Sequence, residues 1–151
     1  MLTVSGGRLY FSADDGLSGR ELWSLPLAGP AGCQPGDTRL CLAGGRFQVE
    51  IAWTDFQDHT GVGHAVPLSA DTGYFWFFDP ANVELVVKVL DGRVVNSNYW
   101  VFIGGLSSVA YSIEVTDTET GQVWTHQHSP GALESFADTS AFESSFPGRP
   151  P

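Results

Sequence analysis

Apolar and polar residues alternate with a period of two through much of this chain. In Phe47–Trp53, the residues Phe47, Val49, Ile51 and Trp53 fall on one side, and Gln48, Glu50 and Ala52, with Thr54 following, on the other. Val109, Tyr111, Ile113 and Val115 repeat the pattern against Ser112, Glu114 and Thr116. Such alternation predicts strands with one face toward a core and the other toward water. Val83–Leu90 and Tyr99–Ile103 are rich in β-branched and aromatic residues, which also favours strands. Asp91 and Gly92 between them predict a tight hairpin whose central residues take positive φ. The stretch Asp117–Gly121 predicts another, joining Val109–Thr116 to Gln122–His128, with Gly121 at a left-handed bulge position. No window of a dozen residues carries the i, i+3, i+4, i+7 spacing of an amphipathic helix, and 18 glycines and 9 prolines punctuate the chain. The pattern predicts an all-β fold, an antiparallel β-sandwich of jelly-roll-like character.

Three segments can be marked along the 151 residues. Residues 1–29 hold a short hairpin, RLYFSA and RELWSL around Asp14, Asp15 and Gly16, and a linker. Residues 30–142 form the expected sandwich domain, and the tail 143–151 is Pro-rich and expected to be disordered.

Charge narrows the function classes. Seven basic residues, with Lys88 the one lysine, stand against seventeen acidic ones, for a net charge of −10. That balance argues against nucleic acid or an anionic membrane surface as partner, since both call for a basic face. No apolar run approaches the roughly 20 residues of a membrane span. The N-terminal MLTVSGGRLYF lacks the apolar segment of a signal peptide, and the expectation is a piece of a larger secreted precursor. Cys33 and Cys41 are the two cysteines, and their C-x7-C spacing fits neither a zinc knuckle nor a redox CxxC. Pro35, Gly36 and Asp37 between them favour a turn that brings the thiols together. A short disulfide loop and an exported, extracellular protein follow as expectations.

Two stretches carry a resemblance. GGRLYFSADDGLSGRELWSLPL resembles one unit of the ELW-x-x-DGT repeat of secreted bacterial proteins, matching at Gly7, Leu9–Phe11, Ala13–Gly16 and Gly19–Trp23. After Trp23 the sequence Ser24-Leu25-Pro26-Leu27 replaces the DGT ending, which suggests a terminal, degenerate unit. TRLCLAGGRFQVEIAWTDF, AVPLSADTGYFWFFDPANVELVVKVLDGR, YWVFIGGLSSVAYSIEVTDTETG and DTSAF resemble a domain found near the C-terminus of modular secreted bacterial proteins, over roughly residues 38–142. The resemblance implies location and modularity; it carries no activity and no functional residues.

Three constellations are candidates for function. In the run Tyr74-Phe75-Trp76-Phe77-Phe78, alternation on a strand sends Tyr74, Trp76 and Phe78 one way and Phe75 and Phe77 the other. One set joins a core; the other is either covered by loops or forms an aromatic platform for sugar rings or peptides. Tyr99, Trp100 and Phe102 pose the same question, so Tyr74, Trp76, Tyr99 and Trp100 are the candidate ligand-binding residues. His126 and His128 share a strand face, and His59 and His64 flank the loop DHTGVGH. A same-face H-x-H pair can chelate a transition metal, and Glu134 lies six residues beyond His128, although cupin spacing is not met. Solvated surface histidines are the alternative. Asp71 and Asp79 flank the aromatic run and are the calcium candidates, against ordinary turn duty. No nucleophile elbow or phosphate loop occurs, and nothing selects a pair of carboxylates for glycoside hydrolysis.

The leading expectation is a non-catalytic accessory or ligand-binding module of a secreted bacterial protein, recognising a polysaccharide or a cell-surface component through aromatic side chains. The alternatives are a small His-ligated metalloprotein, an oxidative enzyme among them, built on His126, His128 and one of His59 or His64, and a structural domain that caps repeats or assembles with its own copies.

Overall fold

The computed structural model describes residues 2–5, 8–14, 19–26 and 32–144. It divides into two compact units, Met1–Ala31 and Gly32–Pro151. In the first unit β1 (Leu2–Ser5), β2 (Arg8–Asp14) and β3 (Arg20–Pro26) form an antiparallel sheet in sequence order. The expected hairpin is β2–β3, with Phe11 opposite Trp23; its turn at 15–18 lies outside the described residues. Leu2, Leu22 and Trp23 are exposed.

Among its described residues, the second unit is all-β apart from one short helical turn. One sheet orders its strands β12-β11-β5-β4, from β4 (Leu40–Leu42), β5 (Phe47–Thr54), β11 (Ala110–Asp117) and β12 (Val123–His128), with β6 (Thr60–Val62) also paired to β5. The other runs β13-β10-β9-β8-β7, from β7 (His64–Pro67), β8 (Thr72–Trp76), β9 (Leu85–Gly92), β10 (Asn98–Gly105) and β13 (Glu134–Glu143). All pairings are antiparallel.

The sheets meet through the alternating residues that the sequence marks as apolar. Phe47, Val49, Ile51, Tyr111, Ile113 and Val115 come from the first sheet. Phe75, Leu85, Val87, Val89, Val101, Ile103 and Phe142 come from the second. Each fully buried Val, Leu, Ile or Phe contributes about 1.5–3 kcal/mol relative to exposure, so this shared layer is the main support of the sandwich.

A buried ion pair clamps one end. Arg46 donates to both carboxylate oxygens of Asp117, at 3.1 and 2.8 Å, and to the Tyr99 hydroxyl at 3.0 Å, so it ties β11 to β10 of the facing sheet. Burial opposes ionisation of Asp117, but the Arg46 guanidinium outweighs it and holds that carboxyl below the usual carboxylate range.

The Cys33–Cys41 disulfide is present, with Cα atoms 5.6 Å apart. The second expected turn is also found: Gly121 has φ +76° and its N–H donates to the Asp117 carbonyl. The hairpin at Asp91–Gly92 differs. Its strands pair as predicted, but Gly92 has φ −94° and begins a single helical turn, α1 (Arg93–Asn96), closed by Ser97 at φ +63°. The Asp91 carboxylate accepts the Arg93 N–H and its guanidinium, which favours the helical turn over a two-residue loop. Strand β13 has no counterpart in the sequence reading. Residues 145–151 of the Pro-rich tail lie outside the described residues.

Candidate functional site

The outward side of β7-β8-β9-β10-β13 is the aromatic face of the second unit's sandwich. Phe75 is fully buried, so its neighbours Tyr74 and Trp76 on β8 stand on the opposite face. Tyr99, Val101 and Ile103 are buried, so Trp100 and Phe102 on β10 stand on that same outer face. Tyr74 pairs with Val66 and Val86, Trp76 with His64, Trp100 with Leu90, and Phe102 with Lys88. Gly104, opposite Val86, has open space where a Cβ would stand and leaves bare backbone beside the rings. All four aromatic residues are partly buried, and none is covered completely.

Neighbours fix two of these rings. Trp100 donates its Nε1–H to Asn96 at 2.8 Å and lies across Gly92, where any Cβ would collide with the indole. Trp76 stacks on His64 with ring centroids 3.8 Å apart and planes 11° from parallel. The His64 Nδ1 is in turn 2.8 Å from an Asp37 carboxylate oxygen. Rings held in this way lose little further freedom when a ligand lies on them.

Tyr99 does not belong to this face. It is 4% exposed, packs edge-on to Phe47 and takes the hydrogen bond from Arg46, so it is a core residue. Phe78 leaves the set too: β8 ends at Trp76, and Phe78 turns edge-on to Trp53 at 4.7 Å.

The outer face of the other sheet is polar. It holds a depression of about 430 Å³ lined in part by Thr38, Glu50, Val62, Ser112, Glu114 and Gln127. Glu50 and Glu114 sit directly across from each other, and Glu50 is bonded to Arg39 and Gln48. No aromatic ring lines the depression.

The four histidines are not brought together. His59 Nδ1 is 2.9 Å from Asp55, in an exposed turn, and His64 belongs to the Trp76 stack. His126 and His128 do share the inner side of β12, and both approach Glu134 across the gap between the sheet edges. His126 Nε2 is 3.0 and 3.2 Å from the two carboxylate oxygens, and His128 Nδ1 is 3.6 Å from one of them. The Tyr111 hydroxyl donates to the same carboxylate at 2.6 Å, a reach open because Gly105 beneath it has no Cβ. Burial disfavours the Glu134 charge, but Tyr111 and His126 together hold its carboxyl below the usual range. The same burial, reinforced by Glu134, pushes the Tyr111 phenol up. With the Trp124 Nε1–H donating to Asp138, these contacts bridge two edge strands that share no ladder.

Among the described residues no group of three or more His, Cys, Asp or Glu is disposed to hold a metal ion. Asp71 accepts from the Ser69 and Thr72 hydroxyls, and Asp79 from the Ala81 N–H. These are turn bonds at opposite ends of β8.

Sequence reasoning missed Lys88 and His64 as members of the aromatic face. The signal for Lys88 was its parity with Val86 and Leu90 against the buried Val87 and Val89. His64 carried no such signal, because its place depends on the β7–β8 pairing. The chain matches no known protein family, no curated protein and no solved structure.

Proposed function

We propose that the second unit is a non-catalytic binding module of a secreted bacterial protein, and that it recognises polysaccharide on the outer face of β7-β8-β9-β10-β13. The observation that carries this reading is the gathering of Tyr74, Trp76, Trp100 and Phe102 on one outer face, with Trp76 and Trp100 held by ring stacking and a hydrogen bond. Pyranose rings present an apolar face of C–H groups that flat aromatic rings cover well, while Tyr and Trp keep a polar tip for water or hydroxyls. The disulfide is compatible with an extracellular setting, and among the described residues no helix is long and apolar enough to cross a membrane. The resemblance to repeat-bearing secreted bacterial proteins supports the modular part of the reading.

Retention on insoluble polysaccharides, followed by titration with soluble oligosaccharides, tests it. Trp76→Ala and Trp100→Ala should each weaken binding at least tenfold, about 1.4 kcal/mol, while the protein stays folded. If no glycan is held at millimolar concentration, or if both variants bind as the parent does, the reading fails. Concentration-dependent self-association through the same residues would then favour the assembly alternative.

A further inference from the structure

We infer that this face selects an acidic polysaccharide, one carrying isolated uronic acid units, and that the Lys88 ammonium is its carboxylate anchor. The inference rests on the polysaccharide reading above and names the glycan class within it.

Three of the four described cationic side chains of the second unit are already paired. Among the described residues there, Arg46 is bonded to Asp117 and Glu119, Arg39 to Glu50, and Arg93 to Asp91. Lys88 is the remaining cation and, among the described residues, forms no hydrogen bond or ion pair of its own. Asp71 feels it only through space, and that carboxylate is already occupied by the Thr72 and Ser69 hydroxyls.

Position strengthens the point. Lys88 stands in the middle strand of five, between Thr72 on β8 and Phe102 on β10, on the face that carries Tyr74 and Trp100. It is partly buried there, between Val86 and Leu90 on its own strand. An ammonium set among apolar side chains is less screened by water than one on a polar surface, so an arriving anion gains more from it.

Chemistry then selects the occupant. A sugar ring stacked on the aromatics brings its substituents down onto the strand between them, and one ammonium neutralises one carboxylate. The net charge of −10 disfavours densely sulfated or uniformly anionic chains, whose surplus charges the protein as a whole would repel. A backbone with a carboxylate at intervals satisfies both conditions.

Matched polymers give the test. Hyaluronan and a glucuronate-substituted xylan would each be titrated as such and after reduction of the carboxyl groups to alcohols, at two salt concentrations. At least one acidic form should bind at least tenfold more tightly than its reduced form, and salt should erode that preference. Lys88→Gln should abolish the preference, and Lys88→Arg should keep most of it. If the reduced polymers bind equally or better throughout, or if Lys88→Gln keeps the preference, the inference is overturned. Loss of binding to those neutral forms on Trp76→Ala would show that the polysaccharide reading survives such an outcome. If no polymer binds in either form, both readings fall.

Discussion

The two outer faces of the sandwich have the same architecture and opposite chemistry. Each rests on a layer of buried Val, Ile, Leu and Phe, yet one presents Tyr74, Trp76, Trp100 and Phe102 around one lysine, and the other presents Glu50, Glu114, Ser112 and Gln127. Folding alone accounts for the polar face, because a sheet half-buried in a sandwich needs only polar residues outside. It does not account for the aromatic face, which leaves large apolar side chains partly in water at a standing cost in hydration free energy. The difference teaches that a residue's partner in the fold and its partner outside can be separated on one strand by a single position.

The sharpest way to break the comparison is to exchange the two sides of β8. Phe75→Ala should destabilise the protein by about 3–5 kcal/mol in urea unfolding, because it opens a cavity in a fully buried site. Trp76→Ala should cost much less stability while weakening polysaccharide retention. Equal stability losses would mean that the outer ring is structural, and the contrast between faces would collapse.

Next in size is the disulfide, which staples the loop leading into β4 of the polar-faced sheet. Replacing both cysteines by serine should cost roughly 2–3 kcal/mol on the chain-entropy estimate. Glycan binding at saturating temperature margin should not change, since the rings sit on the other sheet. A loss of binding in a folded Cys33→Ser/Cys41→Ser variant would show that the faces are coupled.

Titration offers a further contrast. Asp117 and Glu134 have carboxyls held below their ordinary range, so their contributions are present at neutral pH and are lost as pH falls through those lowered values. Glu84, 6% exposed and aided by one bond from Asn82, is pushed up by burial, and one of its oxygens has no partner. Its sign is opposite: its charge costs stability above the raised value, and the cost vanishes on protonation. Glu84→Gln should therefore raise the urea midpoint at pH 7 and lose that advantage in acid. An advantage that is unchanged at pH 3 would contradict this origin. The smallest effect belongs to the polar face, where Glu114→Lys should turn a like-charge pair with Glu50 into an attractive one, worth a few tenths of a kcal/mol.

Much of the fold was legible because strand alternation records burial directly. Phe47, Val49 and Ile51 are apolar because they face the core, and the same holds for Tyr111, Ile113 and Val115. Strand β13 was hidden because an edge strand buries little: of Glu134–Glu143 only Phe142 is fully inside. The α1 turn was hidden because Asp-Gly serves a two-residue turn equally well until the Arg93 side chain returns to Asp91. At the candidate site, Tyr99 and Trp100 are consecutive on one strand and so cannot share a face, a constraint already present in the sequence. Tyr74 and Trp76, two apart, can. The approach of His126 and His128 to Glu134 was only half visible, since it depends on which edge strand of the facing sheet lies beside β12.

The position of Lys88 also makes the molecule convenient to label. It is the one lysine in 151 residues, so beyond the α-amino group an amine-directed ester has a single side chain to acylate. A dye attached there at a pH that leaves the terminus unreacted or separately blocked would stand beside Trp100 and Phe102, whose strand pairs with its own. Its emission would then report what settles on that face, and a bound polymer would slow the acylation itself. One amine in the right place turns ordinary conjugation chemistry into a footprint.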